Sequence, residues 1–222
     1  MSDPQFSTKN ITRESALSTN KVLRNTYALL SVTLIFSAFA AIASTFMNIG
    51  YGASMACSFG ALALIWFVLP RTANSAAGIA VVFAFTGLLG FGLGPVLNHY
   101  LNMANGAEII ATAMGGTAII FLGLSGYALT TQRDFSFLGG FLFAGIIVLV
   151  LASIASFFLQ MPGLNLAISA AAIMIFSGFL LFETSRIVNG GETNYVLATS
   201  SIFLSIYNIF TSLLHLLGIA SD

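Results

Sequence analysis

Seven runs of predominantly apolar residues divide this chain, at 25–48, 51–70, 76–98, 108–131, 137–159, 164–187 and 195–218. Each is close to the roughly 20 residues that a helix needs to cross a hydrocarbon core about 30 Å thick. The polar breaks between them are short. "PRTANS" follows the second run, with Pro70 as a stop signal, and "NHYLNMANGAE" separates the third from the fourth. "TQRDFS", "QMPGLN" and "NGGETN" mark the remaining turns. Connections this short set neighbouring helices antiparallel and side by side. The pattern predicts an all-α membrane protein, a seven-transmembrane-helix bundle over residues 23–222. Residues 1–22 are polar, lack periodicity and predict a short flexible tail. They do not form a signal peptide, because the apolar run that follows is too long.

Composition narrows the class further. The chain has 222 residues, 58% hydrophobic and only 6% charged, with a mean hydropathy of +0.98. A water-soluble domain carries about 25% charged residues, so the solvent of this chain is largely lipid. Seven basic and seven acidic residues leave no net charge, and no basic patch offers a nucleic-acid site. The single cysteine, Cys57, excludes an internal disulfide. The sequence holds no Cys/His metal spacing, P-loop or dinucleotide fingerprint, so no metal or cofactor is expected.

The basic residues also predict an orientation. Lys9, Arg13, Lys21 and Arg24 precede the first span, and Arg71, Arg133 and Arg186 lie at the ends of the second, fourth and sixth. The opposite loops contain no lysine or arginine. The positive-inside rule then gives a cytoplasmic N-terminus and an outward C-terminus.

Helices in lipid associate through close packing, which small residues permit. "GLLGFGLGP" in the third span places Gly90 and Gly94 at GxxxG spacing, and Pro95 removes a backbone hydrogen bond and predicts a kink. Packing and a gating hinge are both open for these three residues. In the last span Ser201, Ser205, Asn208, Ser212 and His215 recur at steps of four and three, so they share one face. That stripe is about 21 Å long at 1.5 Å per residue, and it must face protein or water. It serves either as interhelical bonding or as the wall of a polar pathway, and either use predicts a central last helix.

Glu183 stands out, because it follows a long apolar run and precedes "NGGETN" by only a few residues. Low dielectric disfavours a charged carboxylate. Arg186, three residues on, is one available partner, and Ser201 and Ser205 on the next helix are others. Glu183 is therefore either a carboxylate paired with Arg186 or a protonatable group that locks and releases the last two helices. "GLSG" around Ser125 is similar to the GxSG of rhomboid intramembrane proteases. Ser125 and His215, however, differ in depth by about 20 Å, too far for a nucleophile and its base. No catalytic residue is assigned.

The segment "GLLGFGLGPVLNHYLNMANGAEIIATAMGGTAIIF" resembles the signature of the Bax inhibitor-1 family, with "KVLRNTYALLS", "TTQRDFSFLGG" and "FETSRIVNGGETNY" extending the match from about residue 20 to the end. It is most like the bacterial YccA-type branch. The resemblance implies a bundle with a central last helix, a bacterial inner-membrane location, and binding and modulation of FtsH, a membrane-anchored AAA protease. Other members of the family form a pH-sensitive calcium leak closed by two aspartates on the sixth and seventh helices. Glu183 matches the first of these positions, but Ser205 occupies the second. A carboxylate and a serine cannot share a proton as two carboxylates do, which weakens the expectation of calcium and proton partners. Glu183, Arg186, Ser201, Ser205 and Asn208 are the proton-sensing candidates.

Overall fold

The computed structural model describes residues 4–159 and 162–221, with side chains described from Lys21 onward apart from 157, 162, 220 and 221. The expected turn at "QMPGLN" falls in part on Gln160 and Met161, outside the described residues. The helices are α1 (Pro4–Met47), α2 (Tyr51–Ala63), α3 (Leu69–Thr72), α4 (Ala76–Gly92), α5 (Gly94–Leu101), α6 (Gly106–Thr131), α7 (Leu138–Leu159), α8 (Pro162–Val188) and α9 (Tyr195–Ser221). A π-helical segment, Leu64–Val68, joins α2 to α3. Among the described residues, seven segments are long and apolar enough to cross a membrane: Lys21–Met47, Tyr51–Thr72, Ala76–Leu101, Gly106–Thr131, Leu138–Ser156, Gly163–Val188 and Tyr195–Ile219. They match the seven apolar runs within a few residues. Phe39, Trp66, Phe141 and Met174 are among the large apolar side chains pointing outward. In water such a surface would drive aggregation, whereas in a bilayer it is the lipid-facing coat.

Three local features depart from the simple pattern. The polar stretch expected as a flexible tail is helical in its backbone from Pro4, and α1 is unbroken to Met47. No Gly or Pro lies between these ends, so an existing helix extends without a breaker, starting on a proline that suits a first turn. The boundary at residue 22 is therefore one of composition. Second, Pro70 does not stop its helix as expected. The π segment before it shifts the bonding, Leu69 N–H donating to the Leu64 carbonyl, and the span continues to Thr72. A wider turn gives room where a proline ring would otherwise clash with a carbonyl of the preceding turn. Third, Pro95 splits the third span at Leu93, between α4 and α5. The Ser54 hydroxyl donates to the Gly92 carbonyl beside this break.

Glycines let the third span close on the first. A Cβ on Gly90 would collide with the Ser37 backbone, and one on Gly94 with the Ser44 side chain. The two residues thus form a seam against α1, as small residues do between helices in lipid.

Helix α9 is central, packed against α8, α6, α1 and α4. Its Ile202, Phe203 and Ile209 are buried with Leu30, Phe85 and Leu180 in one cluster. Phe85 and Phe203 meet edge-on at 5.8 Å. Helix α9 and these four neighbours form the centre, to which the second span adds Ala61 and Leu69 at its edge. The second span leans chiefly on the third, and α7 leans chiefly on α8. These two outer spans are also among the least buried, at 11% each.

Candidate functional site

Helix α8 ends where the sequence supplies a stop. Gly190 adopts φ 73°, a left-handed conformation that favours glycine. The Gly191 and Glu192 amides turn back to donate to the Arg186 carbonyl, at 2.8 and 3.2 Å. That reversal carries the Glu192 side chain to the Arg186 guanidinium, 3.4 Å away. Two residues on, the Asn194 side-chain oxygen accepts from the Val196 and Leu197 amides and caps α9.

Glu183 lies about two turns before Gly190, with its side chain 7% exposed. Its carboxylate is 3.5 Å from the Arg186 guanidinium and accepts the Ser201 hydroxyl of α9 at 3.3 Å. Arg186 thus stands between two carboxylates, and its guanidinium also lies over the Phe182 ring at 5.5 Å. Both ion-pair distances exceed the 2.7–2.9 Å or so of a tight charge-assisted bond. The arrangement neutralises a carboxylate at membrane depth without locking either acid to the arginine.

The same segment fastens the neighbouring turns. Asn194 Nδ2 donates to the Ala73 carbonyl at 3.0 Å and to Asn74 Oδ1 at 2.8 Å, between the second and third spans. The Ser185 hydroxyl donates to the Arg133 carbonyl at 2.9 Å and accepts the Phe135 amide at 3.0 Å, between the fourth and fifth spans. Thr199 donates to the Thr26 carbonyl of α1 at 3.2 Å. Residues 183–199 therefore tie together all the turns that carry Arg71, Arg133 and Arg186.

Of the expected proton-sensing residues, Glu183, Arg186 and Ser201 come together. Ser205 and Asn208 do not join them. The Ser205 hydroxyl donates to the Ser201 carbonyl, and Asn208 Nδ2 to the Leu204 carbonyl, each one turn back on its own helix. Glu192, Asn194 and Ser185 were not singled out in the sequence. An asparagine directly before the apolar run "YVLATS" is a readable capping signal, but the pairing of Glu192 depends on the reversal at Gly190.

The other half of the polar face of α9 has different surroundings. His215 Nδ1 is 2.8 Å from the Ser169 hydroxyl of α8, and Ser156 of α7 bonds Asn165 of α8. Asn208 and Ser212 line a cleft of about 530 Å³ between α7, α8 and α9. The Ser125 hydroxyl is buried and has no hydrogen-bond partner among the described residues. His215 is thus engaged by Ser169. No group of three or more metal-binding side chains occurs among the described residues.

Residues 19–222 match the family model for the inhibitor of apoptosis-promoting Bax1. The chain is 54% identical to the "Modulator of FtsH protease YccA" of Escherichia coli K12, over 94% of each chain. It is equally similar to a protein of Escherichia coli O6:H1 named "Inner membrane protein YccA". It is 47% identical, over 100% of its own length and 99% of the relative's, to a membrane protein of Vibrio cholerae.

Proposed function

This chain belongs to the Bax inhibitor-1 family, and from that membership we propose that it is a non-enzymatic modulator of an FtsH-type membrane-anchored protease. Seven apolar spans and a relative named as an inner membrane protein make it a multi-pass inner-membrane protein. The observation that carries the proposal is the 54% identity, over 94% of the chain, to a relative named as a modulator of that protease. The scarcity of charge within the spans supports it, since an ion transporter ordinarily carries more ionisable groups at membrane depth. In this reading the polar start of α1 serves as a handle for the protease. A tagged chain drawn from native membranes in mild detergent should bring the protease with it, and its absence from the eluate would overturn the reading. Deleting residues 2–20 should change the turnover of a membrane substrate without changing the unfolding temperature of the bundle. Unchanged turnover would remove the handle from the model.

A second reading, a proton-gated cation leak, is favoured by Glu183 sitting at one end of the polar face of α9. It lacks the second carboxylate that the family resemblance implies, since Ser205 is bonded to its own helix. Acid-stimulated calcium flux into liposomes that disappears in Glu183→Gln would establish the leak. An identical flux in Glu183→Gln would exclude Glu183 as its gate.

A further inference from the structure

The cleft between α7, α8 and α9 has no role in the proposed modulation. It spans Ile146 to Ile154 on α7 and Ile168 to Phe176 on α8. Each stretch is about 12 Å long at 1.5 Å per residue. Its volume of about 530 Å³ lies within the 300–1,000 Å³ or so of small-molecule sites. The cleft is well under the 30 Å or so that a partner's spanning helix would occupy, whereas its length and volume suit a flat ring or one or two short hydrocarbon chains.

Most of the wall is apolar, with Phe176 as its aromatic member. Ser153 of α7 and Ser169 of α8 also line it, but their hydroxyls donate one turn back to the Leu149 and Asn165 carbonyls, which leaves the polar groups of α9. Asn208 lies 13 residues from Tyr195 and 11 from Ile219, near the middle of its span. Ser212 is one turn further along and also lines the cleft. Asn208 spends one N–H on the Leu204 carbonyl. Its second N–H has no protein partner among the described residues, and the Ser212 hydroxyl, able to turn to its own helix or to the cleft, lines the same wall. An unused amide donor beside a lipid-filled space is costly. A phospholipid does not satisfy it, because its polar groups stay at the interface, about 15 Å from the midplane.

We propose that this cleft binds a neutral, membrane-dissolved amphiphile of the isoprenoid-quinone type, with a ring carbonyl accepting hydrogen bonds from Asn208 and Ser212. The ring lies against Phe176, and the tail leaves sideways into the bilayer past α7. The site needs no charge and no metal, and the ligand is bound rather than transformed.

The test uses the whole purified chain in lipid nanodiscs titrated with a short-tailed ubiquinone analogue. Saturable binding of one analogue per chain is expected, weakened at least tenfold in Asn208→Leu and several-fold in Ser212→Ala. Ala172→Phe, which fills the cleft, should abolish it. Unfolding temperatures of the variants separate lost binding from lost fold, and Ser212→Ala is mild enough to report if the larger changes unfold the chain. An alkyl alcohol of the same tail length, lacking ring carbonyls, should not compete. Equal competition by that alcohol would show a plain acyl-chain groove and overturn the proposal. Uptake that rises linearly with analogue and ignores all three substitutions would show bulk partitioning, with the same consequence.

Discussion

Asn194 shows how much one side chain can hold together. Its oxygen caps α9 while its nitrogen reaches the turn at Ala73 and Asn74. Losing an N-cap costs about 0.5–2 kcal/mol, so Asn194→Ala should lower the unfolding temperature measured in detergent. Asn194→Asp, which keeps the acceptor and loses the donor, should fall between the two. Asp134 permits a signed statement about pH. Hydrogen bonds from the Ser136 hydroxyl and amide hold its carboxyl below the ordinary carboxylate range. Folding thus favours the ionised form. Its contribution is complete above the unfolded pKa of about 3.9 and is lost as pH falls through the lower folded value. Asp134→Ala should therefore shift the unfolding temperature equally at about pH 5.5 and 8, and by less at about pH 3. At this scale the sequence was partly legible. The Glu183–Arg186 pair follows from helical spacing and Ser201 from a periodic stripe. Glu192 was hidden because its contact is made by a chain reversal, which sequence distance does not encode. Ser205 shares the stripe but bonds its own helix, an option that a serine in a membrane helix always has.

At the scale of the element, the seam between the first and third spans is the most constrained contact described. Gly90 abuts the Ser37 backbone, which cannot swing aside as a side chain can. Overpacking of this kind costs about 1–3 kcal/mol. Gly90→Ala should lower the unfolding temperature, and Gly115→Ala, with open space around its Cβ position, should leave it unchanged or raise it. Equal effects would show that helix propensity and not contact governs the seam. The apolar runs and the break near Pro95 were readable, because span length and a missing N–H act locally. Passage of the second span through Pro70 was not, since a π turn is invisible in hydrophobic pattern. The extension of α1 through polar residues was missed for a related reason. Absence of apolar periodicity says that a segment lacks a buried face, not that its backbone leaves the helix.

For the whole molecule, membrane residence and span number follow from composition and run length, because each span must satisfy its own backbone. The orientation inferred from Lys21, Arg24, Arg71, Arg133 and Arg186 predicts a periplasmic C-terminus. A C-terminal reporter active only outside the cytoplasm should be active, and activity of its cytoplasmic counterpart would reverse the assignment. The packing order was legible only for the central last helix. Which spans stand outside depends on three-dimensional neighbours, and the chain order conceals that the second and fifth are the peripheral pair. That arrangement bears on how the protein meets membranes of different thickness. A span packed mainly on one neighbour, even pinned at one end as Asn194 and Ser185 pin these two, can tilt at smaller cost than a span packed on several. A thinner or thicker bilayer would be accommodated by the two outriggers, and the five-helix centre with its Glu183–Arg186 pair would keep one geometry in both.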